Sequence, residues 1–433
     1  MKNPLSRRSF LEKTLAAGAL FSLPSLIPAG ALGKDGQTAP SNRITLGGIG
    51  INHRGGYVLG YFLKQPEVRF LAISDIRRDR RETVKAIADE KYGTKDTAMY
   101  RDFQEMLERK DIDAVLIATG DRWHTTASVY ASRAGKDIYC EKPCGITIDQ
   151  CRTLAETMKR NGTIFQGGTQ RRNVDNCRAA CEFAQSGKLG KIHTAHASIY
   201  YMYYRTDWLP AEPLPDRDVV DWDLWLGPAP WRPYNSEYVL KSRWRAHYDF
   251  DSGARHLDWG AHTVDLCQWA LKKDGTAPVY YRSEGNRIYA EYKDGVKLIM
   301  RPDGWMGLGT CPIRLEGDEG WLEVGDSGNM IVSLKSWKGE TKNILTPNDP
   351  QNRLSFGECP EKHVRNFLDC VKSRRQPVCN ADIIRSSHVA CHASALSWIL
   401  QRELRFDPEK EMFLGDDQAN RMRSRAVREP WTI

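Results

Sequence analysis

Between residues 43 and 168, short apolar runs alternate with amphipathic segments of helix length, and this rhythm restricts the fold more than any other feature of the chain. The runs Ile44 to Gly48, Val68 to Ser74, Ala114 to Ala118, Asp137 to Cys140 and Thr163 to Gly167 have the length and composition of buried strands. Arg77 to Tyr92, Asp102 to Glu108, Thr125 to Ala134 and Thr147 to Asn161 read as helices between them. Parallel strands need crossover connections, so βαβ alternation predicts a doubly wound parallel sheet, the Rossmann arrangement. Ligands of such sheets lie beyond the carboxyl ends of the strands.

Past residue 168 the rhythm changes. His193 to Tyr204, Val279 to Arg282, Arg287 to Tyr292, Val296 to Met300 and Gly320 to Val324 are strand-like, with few long helices between them. They predict an α+β domain over 169–433 with a largely antiparallel, open sheet, which is the expected face for a homo-oligomer. Helices are expected at Asp258 to Leu271, and two more, His363 to Lys372 and Asp382 to Leu400, close the chain.

The segment before residue 43 reads as an address. Ser6-Arg7-Arg8-Ser9-Phe10-Leu11 is a twin-arginine signature, followed by an apolar stretch from Leu15 to Ile27 and a small-residue site at Ala29-Gly30-Ala31. Gly18 and Pro24 interrupt that stretch, and its length is short for a spanning helix, so no stable membrane insertion is expected. The expectation is a signal peptide over 1–31, a linker over 32–42, and a periplasmic protein handled by the twin-arginine export machinery. The eleven cysteines are odd in number in a long chain, and folding in a reducing cytoplasm before export predicts buried free thiols.

Charge and aromatic content narrow the ligand. A net charge of +8 arises from 63 basic and 55 acidic residues spread along the chain, which excludes a nucleic-acid footprint and leaves a mild attraction for anions. Thirteen Trp and seventeen Tyr suit a carbohydrate, whose apolar C–H faces stack on aromatic rings.

Gly48-Ile49-Gly50 follows the first strand, and Arg54-Gly55-Gly56 opens the next helix. Backbone N–H groups there can cradle a pyrophosphate, with Asn52, His53, Arg54 and Gly55 lining it. The spacing is stretched, because a strict G-x-G-x-x-G would place glycine where His53 stands, so Gly55 or Gly56 must supply the close helix packing. Asp75, 25 residues after Gly50, is placed to bond the adenosine ribose hydroxyls. That carboxylate favours NAD, whereas Arg77 and Arg78 beside it would accept the extra phosphate of NADP.

Gly48-x-Gly50, Ser74-Asp75, the run Ala118-Thr119-Gly120-Asp121-Arg122-Trp123-His124 and Glu141-Lys142-Pro143 together resemble the glucose-fructose oxidoreductase, inositol dehydrogenase and rhizopine-catabolism (Gfo/Idh/MocA) family. Gly167 to Arg172, Asp223 to Pro228, Asp258 to Asp265 and Arg428 to Trp431 extend the resemblance over almost the whole chain. Gly120 stands where the family often has Pro. The resemblance implies hydride transfer between a nicotinamide cofactor and a hydroxyl carbon of a sugar, glycoside or cyclitol. It implies that Lys142 contacts the reacting hydroxyl, and that Asp258 and His262 match the catalytic pair. Thr119, Trp123, His124, Glu141 and Lys142 are then expected beside the cofactor, and Arg122, Gln170, Arg171, Tyr201 and Trp244 beside the substrate.

Four residues apart on a helix, Asp258 and His262 share one face. An imidazole with an ordinary pKa near 6.5 can serve as general base in oxidation and acid in reduction, with Lys142 polarising the oxygen and Asp258 orienting the substrate. Together with His256 the same pair could instead hold zinc, a reading the resemblance disfavours, so no metal is expected.

Export adds a condition. A compartment without a nicotinamide pool requires a tightly bound cofactor, regenerated in place. That leaves three readings: an oxidoreductase, a redox-cycling glycosidase working by oxidation, elimination and re-reduction, or a non-catalytic carbohydrate-binding protein.

Overall fold

The computed structural model describes residues 38–39, 42–345 and 359–433. The expected signal segment and nearly all of the linker lie outside the described residues. Both sheets belong to the unit Ile44–Ile433.

The first sheet is parallel, with strands β1 (Ile44–Ile49), β2 (Val68–Ser74), β3 (Ala98–Tyr100), β4 (Ala114–Ile117), β5 (Asp137–Cys140) and β6 (Phe165–Gly167) in the order β3-β2-β1-β4-β5-β6. Helices α1 (His53–Leu63), α2 (Arg78–Tyr92), α3 (Phe103–Leu107), α4 (Asp121–Arg133) and α5 (Ile148–Asn161) cross over between them. The order reverses between β1 and β4, and a crevice opens there at the carboxyl ends. The expected strands are all present. β3 is additional, a three-residue edge strand whose exposed Met99 gives no apolar run to read.

α4 begins at Asp121, four residues before the expected start. Arg122, Trp123 and His124 are therefore buried in its first turn rather than lying in a loop over the crevice. Trp123 drives this, packing edge-on against Trp431 at 4.7 Å and Phe103 at 5.3 Å.

The second sheet contains β7 (Ile192–Ser198), β8 (Tyr280–Glu284), β9 (Arg287–Glu291), β10 (Lys297–Arg301), β11 (Ile313–Gly317), β12 (Gly320–Val324), β13 (Met330–Leu334), β14 (Thr341–Asn343), β15 (Leu404–Asp407) and β16 (Met412–Phe413). Its pairs are antiparallel except β7 with β10, which run parallel. The expected strand His193 to Tyr204 stops at Ser198, and the Tyr200–Tyr204 segment leaves the sheet. Helices α6 (Asp175–Gln185), α7 (Trp222–Leu226), α8 (Ser236–Leu240), α9 (His256–Ala270), α10 (Glu361–Ser373) and α11 (Ala381–Leu400) complete the frame. Buried Ala195, Leu298, Ile313 and Leu315 from one face of the sheet share a core with Val264, Leu266 and Val389 of α9 and α11. Tyr289, Ile299, Trp321 and Ile331 lie on the other, half-buried face.

The end of the chain returns to the first sheet. Val364, Phe367 and Leu368 of α10 join Leu46, Phe70 and Tyr139 in one core. All eleven cysteines are unpaired, and each is buried except half-buried Cys359.

Candidate active site

β1 ends at Ile49 and α1 starts at His53, so the intervening turn sits at the strand-order reversal. Gly50 has φ +70°, and a Cβ there would lie 2.9 Å from the Thr119 Cα, so the turn requires glycine. Gly55 supplies the close helix packing, since a Cβ would fall 2.8 Å from that of Ala118, while Gly56 would meet nothing within 4 Å. Asn52 caps α1 without a side-chain bond, and its Oδ1 is buried and unpartnered. The cleft of about 280 Å³ beyond this turn is lined by Asn52, His53, Arg54, Gly55, Asp75 and Thr119, with Trp123 and Trp244 further along. A glycine cradle, an unfilled amide oxygen and a helix N-terminus facing one cleft fit the pyrophosphate and riboses of a nicotinamide dinucleotide.

At the adenosine end, Asp75 accepts the Arg77 N–H at 2.9 Å, and burial pushes its carboxyl up to about 6. Arg77 and Arg78, which read in the sequence as able to welcome an extra phosphate, are paired at 2.5 Å with Asp79 and Asp218. Arg80 and Arg101 also line this end, and the sequence alone did not single them out.

Lys142 lies just past β5, and the Lys142–Pro143 peptide is cis. Four side chains from two helices grip its turn. His124 of α4 donates from Nδ1 to the Pro143 carbonyl at 2.6 Å, and Thr125 donates to the Cys144 carbonyl at 2.7 Å. From α11, His388 Nε2 accepts the Cys144 N–H at 3.2 Å, and His392 Nε2 donates to the Gly145 carbonyl at 3.0 Å. Arg54 of α1 reaches Glu141 at 3.2 Å, joining the cofactor turn to the lysine turn. His124 and Glu141 thus support the site without lining the cleft.

The Lys142 ammonium donates to the Asp258 backbone carbonyl at 2.6 Å. Asp258 and His262 share a face of α9, which brings all three expected catalytic residues together. His262 is buried with an unpartnered Nδ1. Burial, then the charges of Arg171, Lys142 and Arg54, hold its pKa well below the ordinary value. It is therefore a neutral base at pH 7. The Asp258 carboxylate accepts from Arg245 Nη1 at 2.8 Å and Arg255 Nε at 2.9 Å. Arg245 belongs to the stretch Arg243 to His247, which precedes this helix and reads in the sequence as able to select a substrate substituent, whereas Arg255, the residue before α9, was not among the expected site residues.

Several expected substrate contacts are engaged elsewhere. Arg171 forms a buried pair with Asp326 at 2.5 Å. Tyr201 points outward, 59% exposed, with its hydroxyl 3.4 Å from Asp303. Arg122 donates Nε to the Trp225 carbonyl at 2.9 Å and lies 3.7 Å from that ring, so it shapes the cleft wall through packing. Gln170 is buried at the start of the turn after β6. Among the described residues no three His, Cys, Asp or Glu side chains converge as a metal site.

The sheet order and the glycine turn define a dinucleotide-binding Rossmann domain. The family model "Oxidoreductase family, NAD-binding Rossmann fold" matches residues 44–169, and "Oxidoreductase family, C-terminal alpha/beta domain" matches 191–433. The chain belongs to the Gfo/Idh/MocA oxidoreductase family. It is 25% identical to scyllo-inositol 2-dehydrogenase (NAD(+)) of Bacillus subtilis over 348 residues, 77% of this chain and 86% of that protein. It is 31% identical to a glycosyl hydrolase family 109 protein of Saccharopolyspora erythraea over 174 residues, spanning only 36% of this chain and 38% of that protein. The fold resembles the aldose-aldose oxidoreductase of Caulobacter crescentus, with a TM-score of 0.62 and 16% identity over 84% of this chain and all of that one.

Proposed function

We propose that this protein moves a hydride between a bound nicotinamide cofactor and a hydroxyl carbon of a sugar, glycoside or cyclitol. The carrying observation is the Lys142 ammonium fixed on residue 258 beside a neutral, buried His262, next to a cleft shaped for a dinucleotide. A bound nicotinamide supplies the hydride acceptor. His262 takes the hydroxyl proton during oxidation and returns it in reduction. Lys142 steadies negative charge developing on the oxygen, and the surrounding protein limits competing water. The match to an inositol dehydrogenase over most of both chains supports a polyhydroxy substrate.

NAD is the favoured cofactor, a reading supported by Asp75 lining the cleft where a ribose would lie and by the pairing of Arg77 and Arg78. Tight retention and a periplasmic location through twin-arginine export belong to the same proposal. Two segments of the second domain support retention. The Arg78 N–H donates to the Val219 carbonyl at 3.2 Å by the adenosine end, while Val239, Trp244 and Arg245 close the other wall. The outer face of the second sheet is the proposed contact between copies.

The test is to denature the protein purified from its native compartment and weigh the released small molecule, then to add cyclitols, sugars and glycosides to intact protein while following the absorbance of bound cofactor. Release of NAD and a substrate-dependent absorbance change are expected. An empty protein would refute retention. A glycoside cleaved to free sugar without net cofactor reduction would assign the redox-cycling reaction instead.

A further inference from the structure

The charge around Asp258 is unbalanced. Lys142, Arg245 and Arg255 all bond to this one residue, the first through its backbone carbonyl and the arginines through its carboxylate. Three cations thus gather at one residue, two of them on its carboxylate. Of the neighbouring carboxyls, Asp251 accepts the Arg255 backbone N–H at 2.7 Å, and neither it nor Asp121 forms an ion pair with these three cations. The other charged groups nearby are internally matched, Arg54 with Glu141 and Arg171 with Asp326. A neutral sugar closing over this cluster would desolvate net positive charge with nothing to compensate it.

Both arginines are also held in fixed positions. Arg255 itself has φ +68°, next to Ala254 at +56°, while Ser242 at +54° and Ala246 at +68° bracket Arg245. Left-handed backbone at four non-glycine residues stores strain, and such strain gathers at ligand clamps. The Arg255 guanidinium lies 4.6 Å from the Tyr200 ring, which itself meets Trp259 at 4.5 Å, and Arg245 lies 4.6 Å from Trp244. A guanidinium on an aromatic face keeps its in-plane N–H donors directed sideways, the geometry that takes an anion bidentately. Arg245 and Trp244 both line the cofactor cleft.

We infer that the substrate is an anionic sugar, bearing a carboxylate or a phosphate, and that Arg245 and Arg255 bind that group while Tyr200 and Trp259 face the ring. This rests on the hydride-transfer reading and narrows its substrate class. Calorimetric titration of the cofactor-loaded protein with D-glucuronate, D-glucose 6-phosphate and D-glucose tests it, each repeated with cofactor absorbance as a second readout. At least one anion should bind about tenfold or more tighter than glucose, with an advantage that shrinks as salt rises. The larger advantage identifies the carboxylate or the phosphate. Arg245→Gln and Arg255→Gln should each cut that advantage to about threefold or less, and Arg255→Lys should keep part of it because the charge remains. Equal binding of all three sugars by the unaltered protein, which needs no variant to fold, would overturn the inference. So would an advantage undiminished in both glutamine variants. Glucose changing the absorbance as readily as the anions would end this inference but leave hydride transfer standing. Selective anion binding with no absorbance change for any sugar would overturn both, since an anion site that supports no hydride transfer is not a substrate site.

Discussion

A lysine side chain is flexible and strongly hydrated, and Lys142 loses that freedom through the 2.6 Å bond to the Asp258 carbonyl. Lys142→Met removes the ammonium but none of the groups lining the cofactor cleft, so turnover should fall about 100- to 10,000-fold with the amount of bound cofactor unchanged. Cofactor loss in that variant would assign Lys142 to binding alone. His262 gives a pH test. Because burial holds its pKa well below 6.5, it stays neutral as the solution is acidified through that value. The acid limb of kcat/KM for oxidation should therefore lie well below pH 6.5, and a limb centred at 6.5 would remove His262 as the base. These two residues and Asp258 were legible in the sequence as motifs, since short spacings within a turn or a helix survive folding. Arg171 and Tyr201 were not, because their partners Asp326 and Asp303 lie more than a hundred positions away in sequence. Arg255 escaped notice for a related reason. Its role depends on a left-handed backbone that no residue type at that position announces.

Among the elements, α11 does work that its sequence conceals. It is a nearly uniformly buried helix without a clear apolar stripe, yet it sends His388 and His392 to the turn that carries Lys142. His388 can accept the Cys144 N–H because burial keeps it neutral, with its pKa lowered to about 3. His388→Leu should keep cofactor binding but lower kcat about tenfold, with KM little changed, since a small displacement of a reacting group is costly. An unchanged kcat would mean the turn holds itself. Strand and helix alternation was readable wherever an element had one buried face, as in β2 or α5. It failed at the first turn of α4 and at β3. α4 is packed on nearly every side by Trp431, Phe103 and the sheet, so its first turn looked like loop, and edge strand β3 is too short and exposed to show alternation. The parallel pairing of β7 with β10 was also unreadable, because register between strands a hundred residues apart leaves no local pattern.

Across the whole molecule, the buried histidines set the response to acid. Burial lowers His247, His256 and His363 to about 4 and His388 to about 3, and holds His262 and His392 well below 6.5. In the unfolded chain these groups take up protons below about pH 6.5 that the folded protein refuses, so stability must fall as pH drops from 6.5 towards 4. Asp89 and Glu316, held at about 2 by Lys85 and His196, act in the same direction below their unfolded values near 4. Asp75 and Asp251, raised to about 6 and 7, and Asp121 and Asp265, also raised by burial, act oppositely above 3.8, but they are fewer than the buried histidines. Thermal unfolding should give a lower Tm at pH 5 than at pH 7, and a Tm that rose on acidification would show that the histidines are not buried as described. Residues 142, 258 and 262 are proposed to make this dinucleotide cleft a polyol-oxidising site. Rapid mixing of the cofactor-loaded protein with a panel of cyclitols, sugars and sugar acids, followed by the near-ultraviolet absorbance of reduced nicotinamide, tests it most directly. A single-turnover rise is expected with at least one of them, and it should be lost in Lys142→Met. No rise with any of them, or an equal rise in the variant, would contradict it.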